Sequence, residues 1–120
     1  MNGFEVAQHN SEDGITILRL KGFLDAHTAG DLEAALQKCI DEKKFRIVVN
    51  FEELNYISSA GLGVFMGFIE DVRENGGDIK MTSMTEKIFH VFDLLGFPAL
   101  YDILKTDDEA VERFAQTEKE

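Results

Sequence analysis

The run from Phe45 to Phe51, FRIVVNF, constrains the fold most. Its apolar residues do not alternate with polar ones, so a strand here presents apolar side chains on both faces. Such a strand belongs inside a sheet covered on both sides, the setting of parallel sheets flanked by helices. The flanking segments agree. Phe4 to His9 alternates apolar and polar residues, Asn10 to Gly14 (NSEDG) is turn chemistry, and Ile15 to Gly22 alternates again, which predicts a hairpin. Thr28 is placed to cap a helix, with Asp31 in the first turn and a stripe of Leu32, Ala35, Leu36, Cys39 and Ile40.

After the central run, residues 52–57 (EELNYI) read as a loop. The next helix carries Leu62, Val64, Phe65, Met66, Phe68, Ile69 and Val72, apolar over enough of its circumference to be mostly buried, and Gly76 and Gly77 stop it. A short strand, DIKMTS (78–83), follows. Thr85 caps a third helix with Ile88, Val91, Phe92 and Leu95 on one face, and Gly96 and Pro98 end it. LYDILK (100–105) reads as a last strand. Asp107 or Asp108 caps a final helix with Val111, Phe114 and Ala115 inward, and TEKE (117–120) is expected to fray. Strands and helices alternating after a hairpin predict an α/β fold: one domain over residues 1–120, a mostly parallel sheet of four to five strands opened by the hairpin, and about four helices.

Charge narrows the partners. Lys and Arg number 12 against 23 Asp and Glu, for a net charge of -11 and a pI near 4.6. A surface this acidic argues against nucleic acid and anionic lipid and suits a basic or mixed-charge protein. The one cysteine, Cys39, can form no internal disulfide, which points to a reduced, cytoplasmic setting. No basic stretch followed by an apolar run marks a leader at the start, and no apolar run approaches the ~20 residues of a membrane span. Small size and acidity point to a monomer.

The sequence offers little to an enzyme. The serines Ser58 and Ser59 follow Tyr56 and Ile57, so there is no GxSxG, and His9, His27 and His90 show no spacing that ties them to a serine. Metal-ligand and Walker motifs are lacking, so no metal or cofactor is expected. What stands out is the start of the second helix. Ser58 suits the N-cap and Ser59 the first helical position with a free hydroxyl. Gly61 and Gly63 follow in the first turn, where each costs about 1 kcal/mol relative to Ala. That choice implies close approach to the backbone, from the sheet beneath or from a partner above. Read from the residues alone, the segment is either a plain cap and packing device or a binding site.

Three segments resemble the STAS domain family of bacterial anti-sigma factor antagonists. Gly22, Leu24, Asp25, Thr28 and Ala29 match a G-x-L-D-x-x-T-A segment. Val48 to Phe51 resembles the strand leading into the family's main loop, and Ser59, Gly61, Leu62, Gly63 and Val64 match a D-S-[ST]-G-L-G-V loop. Gly76, Gly77, Ile79 and the run 88–97 also fit, so the likeness spans residues 1–105. It implies a protein that is not an enzyme. The unphosphorylated form would capture an anti-sigma factor that is also a serine kinase and so free a sigma factor. Phosphorylation would end capture, and a metal-dependent serine phosphatase would restore it. By position the acceptor is Ser59, with Ser58 the secondary candidate. The partner surface is Asp25, Thr28, Ser58, Ser59, Ala60, Gly61, Leu62 and Gly63. The chain departs from the pattern at two places: Ser58 stands where the family has aspartate, and Ala60 replaces the second hydroxyl residue. The alternative is a STAS module that binds a partner or small ligand without phosphorylation, and a hydrolase using Ser59 is the third reading.

Overall fold

A computed structural model describes residues 3–11 and 13–118, so Glu12 of the first turn and the last two residues of the expected frayed tail lie outside it. The hairpin is present: β1 (Phe4–Asn10) pairs antiparallel with β2 (Thr16–Leu24). The chain then alternates through α1 (Ala29–Asp41), β3 (Arg46–Ile57), α2 (Ser59–Glu74), β4 (Asp78–Thr82), α3 (Glu86–Leu94), β5 (Ile103–Leu104) and α4 (Asp107–Glu118). The sheet order is β1-β2-β3-β4-β5, and every pairing after the hairpin is parallel.

β3 is central and buried on both faces, as its composition requires. Ile47, Val49 and Phe51 point into the main core with Leu18, Leu20, Ile79 and Met81 and the inner faces of α1, α2 and α3. Val48 points the other way, into a smaller cluster with Ile15, Ile17, Ala110 and Phe114 of α4. Three helices thus cover one face and α4 covers part of the other. The uncovered part, beside β1, β2 and the start of α4, forms a cleft of about 610 Å³ lined by Glu5, Arg19, Asn50, Glu52 and Asp107 among others. Cys39 is fully buried on the α1 stripe, and burial pushes its thiol pKa up.

Several expectations need correction. Residues 52–57 are not a loop: β3 continues to Ile57, with Leu54 and Ile57 buried and Glu52, Glu53 and Tyr56 exposed. α2 is buried over less of its surface than its composition suggests, since Met66 is 57% exposed and Phe68 and Ile69 are half-buried. Leu95 lies past the end of α3 and is 58% exposed, although Ile88 and Phe92 are buried as expected. The last strand shrinks to Ile103–Leu104. Neither Asp107 nor Asp108 caps α4; the Thr106 hydroxyl accepts from the Glu109 amide at 3.1 Å. Ala110, not Ala115, faces inward, and α4 continues through Thr117 to Glu118 rather than fraying there.

Gly22 fixes how β2 leads toward the loops. Its φ is +99°, and a Cβ there would lie 1.7 Å from the Gly3 carbonyl oxygen. Phe23 donates to that same oxygen at 2.7 Å, so the close approach is a hydrogen-bonded one that only glycine allows.

Candidate functional site

Strands β2 and β3 end side by side, with Leu24 opposite Ile57. The chain leaves β2 through a tight turn at Asp25 and leaves β3 straight into α2. The Ser58 amide donates to the Leu24 carbonyl at 2.9 Å, tying the two exits together. One of the Asp25 carboxylate oxygens accepts from the amides of His27 (2.9 Å) and Thr28 (3.2 Å). The Thr28 hydroxyl accepts from the Asp25 amide and donates to the Phe23 carbonyl, both at 2.9 Å. Asp25 and Thr28 therefore lock the turn against itself. Thr28 stands at the N-cap position of α1 but makes no side-chain cap bond, because its hydroxyl is used in this turn.

The start of α2 separates its two serines. Ser58 is the N-cap residue by position, with φ -101° and ψ 173°, yet its side chain caps nothing. Its Oγ is buried without a hydrogen-bond partner, which corrects the expected cap. Ser59 opens the helix and is exposed. The first turn contains no acidic residue, so the free amides and the positive end of the helix dipole are not neutralised by the helix's own side chains.

The two glycines have different reasons. A Cβ on Gly61 would lie 2.7 Å from Leu24 Cγ and 3.1 Å from Ile57 Cγ1, so the sheet beneath requires glycine. A Cβ on Gly63 would meet nothing within 4 Å, and Gly63 is exposed. The sheet explains the first glycine and leaves the second unexplained.

Of the residues named from sequence, Ser59 and Gly63 face solvent, while Asp25, Ser58 and Ala60 are half-buried. Thr28, Gly61 and Leu62 are buried, so they shape the surface from within. Ser59, Gly63, Met66 and Glu70 recur at the spacing of one helix face, and all four are exposed. Two further exposed apolar residues stand near the ends of β2 and β3. Phe23 is 52% and Tyr56 47% exposed, and their rings meet edge to face at 6.5 Å. Phe23 and Tyr56 are 33 positions apart and pair only through the parallel register of β2 and β3, so no local signal in the sequence joins them. Exposed aromatic residues of this kind are enriched where proteins dock. The described residues include no group of His, Cys, Asp or Glu able to hold a metal ion and no histidine bonded to Ser59. No described helix is long and apolar enough to cross a membrane.

Known proteins share this fold. The family model described as STAS domain matches residues 7–110. BtrV of Bordetella bronchiseptica, named as an anti-sigma factor antagonist, is 29% identical over 102 residues, covering 85% of this chain and 88% of BtrV. A crystal structure of an anti-sigma factor antagonist from Mycobacterium paratuberculosis superposes with a TM-score of 0.85 at 17% identity, over 93% of this chain and 94% of that one. The antagonist SpoIIAA in its unphosphorylated form gives 0.80 at 22% identity, over 93% and 97% of the two chains. The phosphorylated form of Bacillus SpoIIAA gives 0.72 at 22%, over 92% and 99%.

Proposed function

The chain belongs to the STAS domain family, and from that premise we propose that it is an anti-sigma factor antagonist switched by phosphorylation of Ser59. The unphosphorylated form captures an anti-sigma factor that is also a serine kinase, and a metal-dependent serine phosphatase resets it. The observation that carries the reading is the start of α2: an exposed serine at the first helical position, no acid in the first turn and no side-chain cap. A relative named as an antagonist and a structural neighbour solved with and without phosphate support it.

The physics of the switch is asymmetric. A phosphate adds about -1.5 to -2 charges. At the open end of α2 that charge is favourable by ~0.3–1 kcal/mol, so the fold should hardly respond. At an interface the same dianion must be desolvated, on a chain already at -11. A loss of ~3–4 kcal/mol there weakens binding roughly 10²–10³-fold. Phe23, Tyr56 and Met66 would remain as apolar anchors, so the partner is expected to offer an apolar pocket with a basic or mixed-charge rim.

The test is binding of wild type, Ser59→Ala and Ser59→Asp to anti-sigma factor kinases of the source organism, with melting curves alongside. Ser59→Ala should bind like wild type, and Ser59→Asp should lose roughly 10²–10³-fold while melting normally. Tight binding by a folded Ser59→Asp would overturn the switch. A second reading, a STAS interaction or small-ligand module without phosphorylation, is favoured by Ser58 in the place of the loop's aspartate. Mass spectrometry of Ser59 in protein recovered from its native cell separates the two.

A further inference from the structure

The two edges of the sheet differ. β5 is two residues long and offers almost no template for pairing. β1 is seven residues long, in unbroken register with β2, and carries no proline, no lysine and no bulge, the usual devices that protect an edge. Among the described residues, no strand lies on its outer side.

The outward groups can be assigned. Phe23 donates to the Gly3 carbonyl and Ser11 to the Ile15 carbonyl, and both pairs continue the β1–β2 register, in which Ala7 faces Arg19. Hydrogen-bonded pairs alternate along an antiparallel ladder. The odd residues of β1 therefore bond to β2, and the amides and carbonyls of Phe4, Val6, Gln8 and Asn10 point outward. Their side chains turn toward the α1 face, where Phe4 and Val6 join the core. Glu5, Ala7 and His9 stand exposed on the opposite face.

We propose that β1 pairs antiparallel with β1 of a second copy of this chain, about a two-fold axis at Ala7, making one continuous ten-stranded sheet. The strand is self-complementary in this register. Phe4 pairs with Asn10 and Val6 with Gln8, each pair exchanging two main-chain hydrogen bonds. Ala7 meets Ala7 at the axis, where small side chains suit the closer, non-hydrogen-bonded spacing. On the same face, Glu5 of each copy lies opposite His9 of the other, an acceptor against a donor in a close cross-strand pair. Shifting the register by two residues keeps the faces matched but removes both Glu5–His9 pairs and shortens the ladder. α4 packs against β3, β4 and β5, and its start meets Glu5 and Ala7 only across the open cleft. Two chains of charge -11 repel, so the dimer is weak and gains from screening salt; the monomer expected from size and charge is its dilute form.

Sedimentation velocity on the full chain at neutral pH and physiological salt, across a concentration series, tests the pairing. Wild type should move from monomer toward dimer as concentration rises. Val6→Pro removes one outward amide from each copy while leaving the β1–β2 bonds intact, and the two lost hydrogen bonds should weaken association roughly 30-fold. Glu5→Lys should also weaken it, and combining Glu5→His with His9→Glu should restore it. The exposed charge variants decide the matter if Val6→Pro fails to fold. On oxidation, Ala7→Cys should cross-link faster than Glu5→Cys, because only position 7 meets itself; the buried Cys39 does not compete. A wild type that stays monomeric to about 1 mM, or a dimer indifferent to these substitutions, would overturn the proposal.

Discussion

Helices α2 and α4 begin in opposite electrostatic states. α4 has Asp107, Asp108 and Glu109 in its first turn, and the Thr106 hydroxyl caps the Glu109 amide. The Asp107 carboxylate also accepts from the Asn50 amide group at 3.0 and 3.1 Å and from the Thr82 hydroxyl, and it pairs with Arg19 at 3.4 Å. α2 begins with no acid and no side-chain cap, over a buried Ser58 hydroxyl that bonds to nothing. One helix start is neutralised from within and pins α4 to the sheet. The other forgoes that stabilisation and leaves its end open to an added charge. The difference teaches where to look for a switch: a helix end already filled by its own carboxylates gains little from a phosphate.

Asp107→Ala should strike this comparison hardest. It strands Thr82, which is fully buried, and takes from Asn50, 7% exposed, its carboxylate partner. A loss of about 2–3 kcal/mol is expected in denaturant unfolding; a loss under ~0.5 kcal/mol would show that the acids at α4 are ornamental and the contrast empty. Acid should distinguish the two regions as well. The hydrogen bond from Lys80, outweighing burial, holds the Asp102 carboxyl below its usual range. A carboxyl lowered on folding adds stability above its ordinary pKa of about 4, and that stability drains as pH falls through the lowered value. Stability of Asp102→Asn should therefore fall less steeply than that of wild type below about pH 4. The start of α2 has no carboxylate in its first turn to titrate.

The glycines of α2 provide the next test. Gly61→Ala drives a Cβ to 2.7 Å from Leu24 Cγ, and overpacking of this kind costs about 1–3 kcal/mol. Gly63→Ala enters open space and should raise stability by about 0.5–1 kcal/mol through helix propensity alone. If the proposed partner approaches the backbone at this point, Gly63→Ala should bind more weakly even as it melts higher. A variant that gains stability and keeps full binding would remove Gly63 from the docking surface.

Much of this architecture is legible in the sequence because period and punctuation agree. The alternation of Phe4 to His9, the apolar run at Phe45 to Phe51, the Thr85 cap and the stops at Gly76 and Gly96 each name their element, and the structure has each of them. β3 beyond Phe51 is not legible. Glu52, Glu53 and Asn55 look like loop residues, but they extend a strand whose second face α4 leaves uncovered, so polar side chains meet water there. Met66 and Leu95 mislead in the reverse sense, as apolar residues that nothing in the fold covers. The exposure of Ser59 at the start of α2 follows from its position, whereas Phe23 and Tyr56 come together only by long-range pairing, which no local pattern records.

The finest test sets one substitution against itself in the two helices. Thr106→Ala removes a hydroxyl that accepts from an amide at 3.1 Å, and losing such a cap costs ~0.5–2 kcal/mol. Ser58→Ala, at the equivalent place in α2, removes a hydroxyl that accepts from nothing and is shut off from water. No cap is lost, and the desolvation of an unpaired hydroxyl is relieved. The expected change is between zero and a small gain, within about 0.5 kcal/mol, read as an unchanged or slightly raised melting temperature. If Ser58→Ala instead fell by as much as Thr106→Ala, the Ser58 hydroxyl would be capping α2 in solution. The free helix end that recommends Ser59 as a phosphate site would then be smaller by one amide.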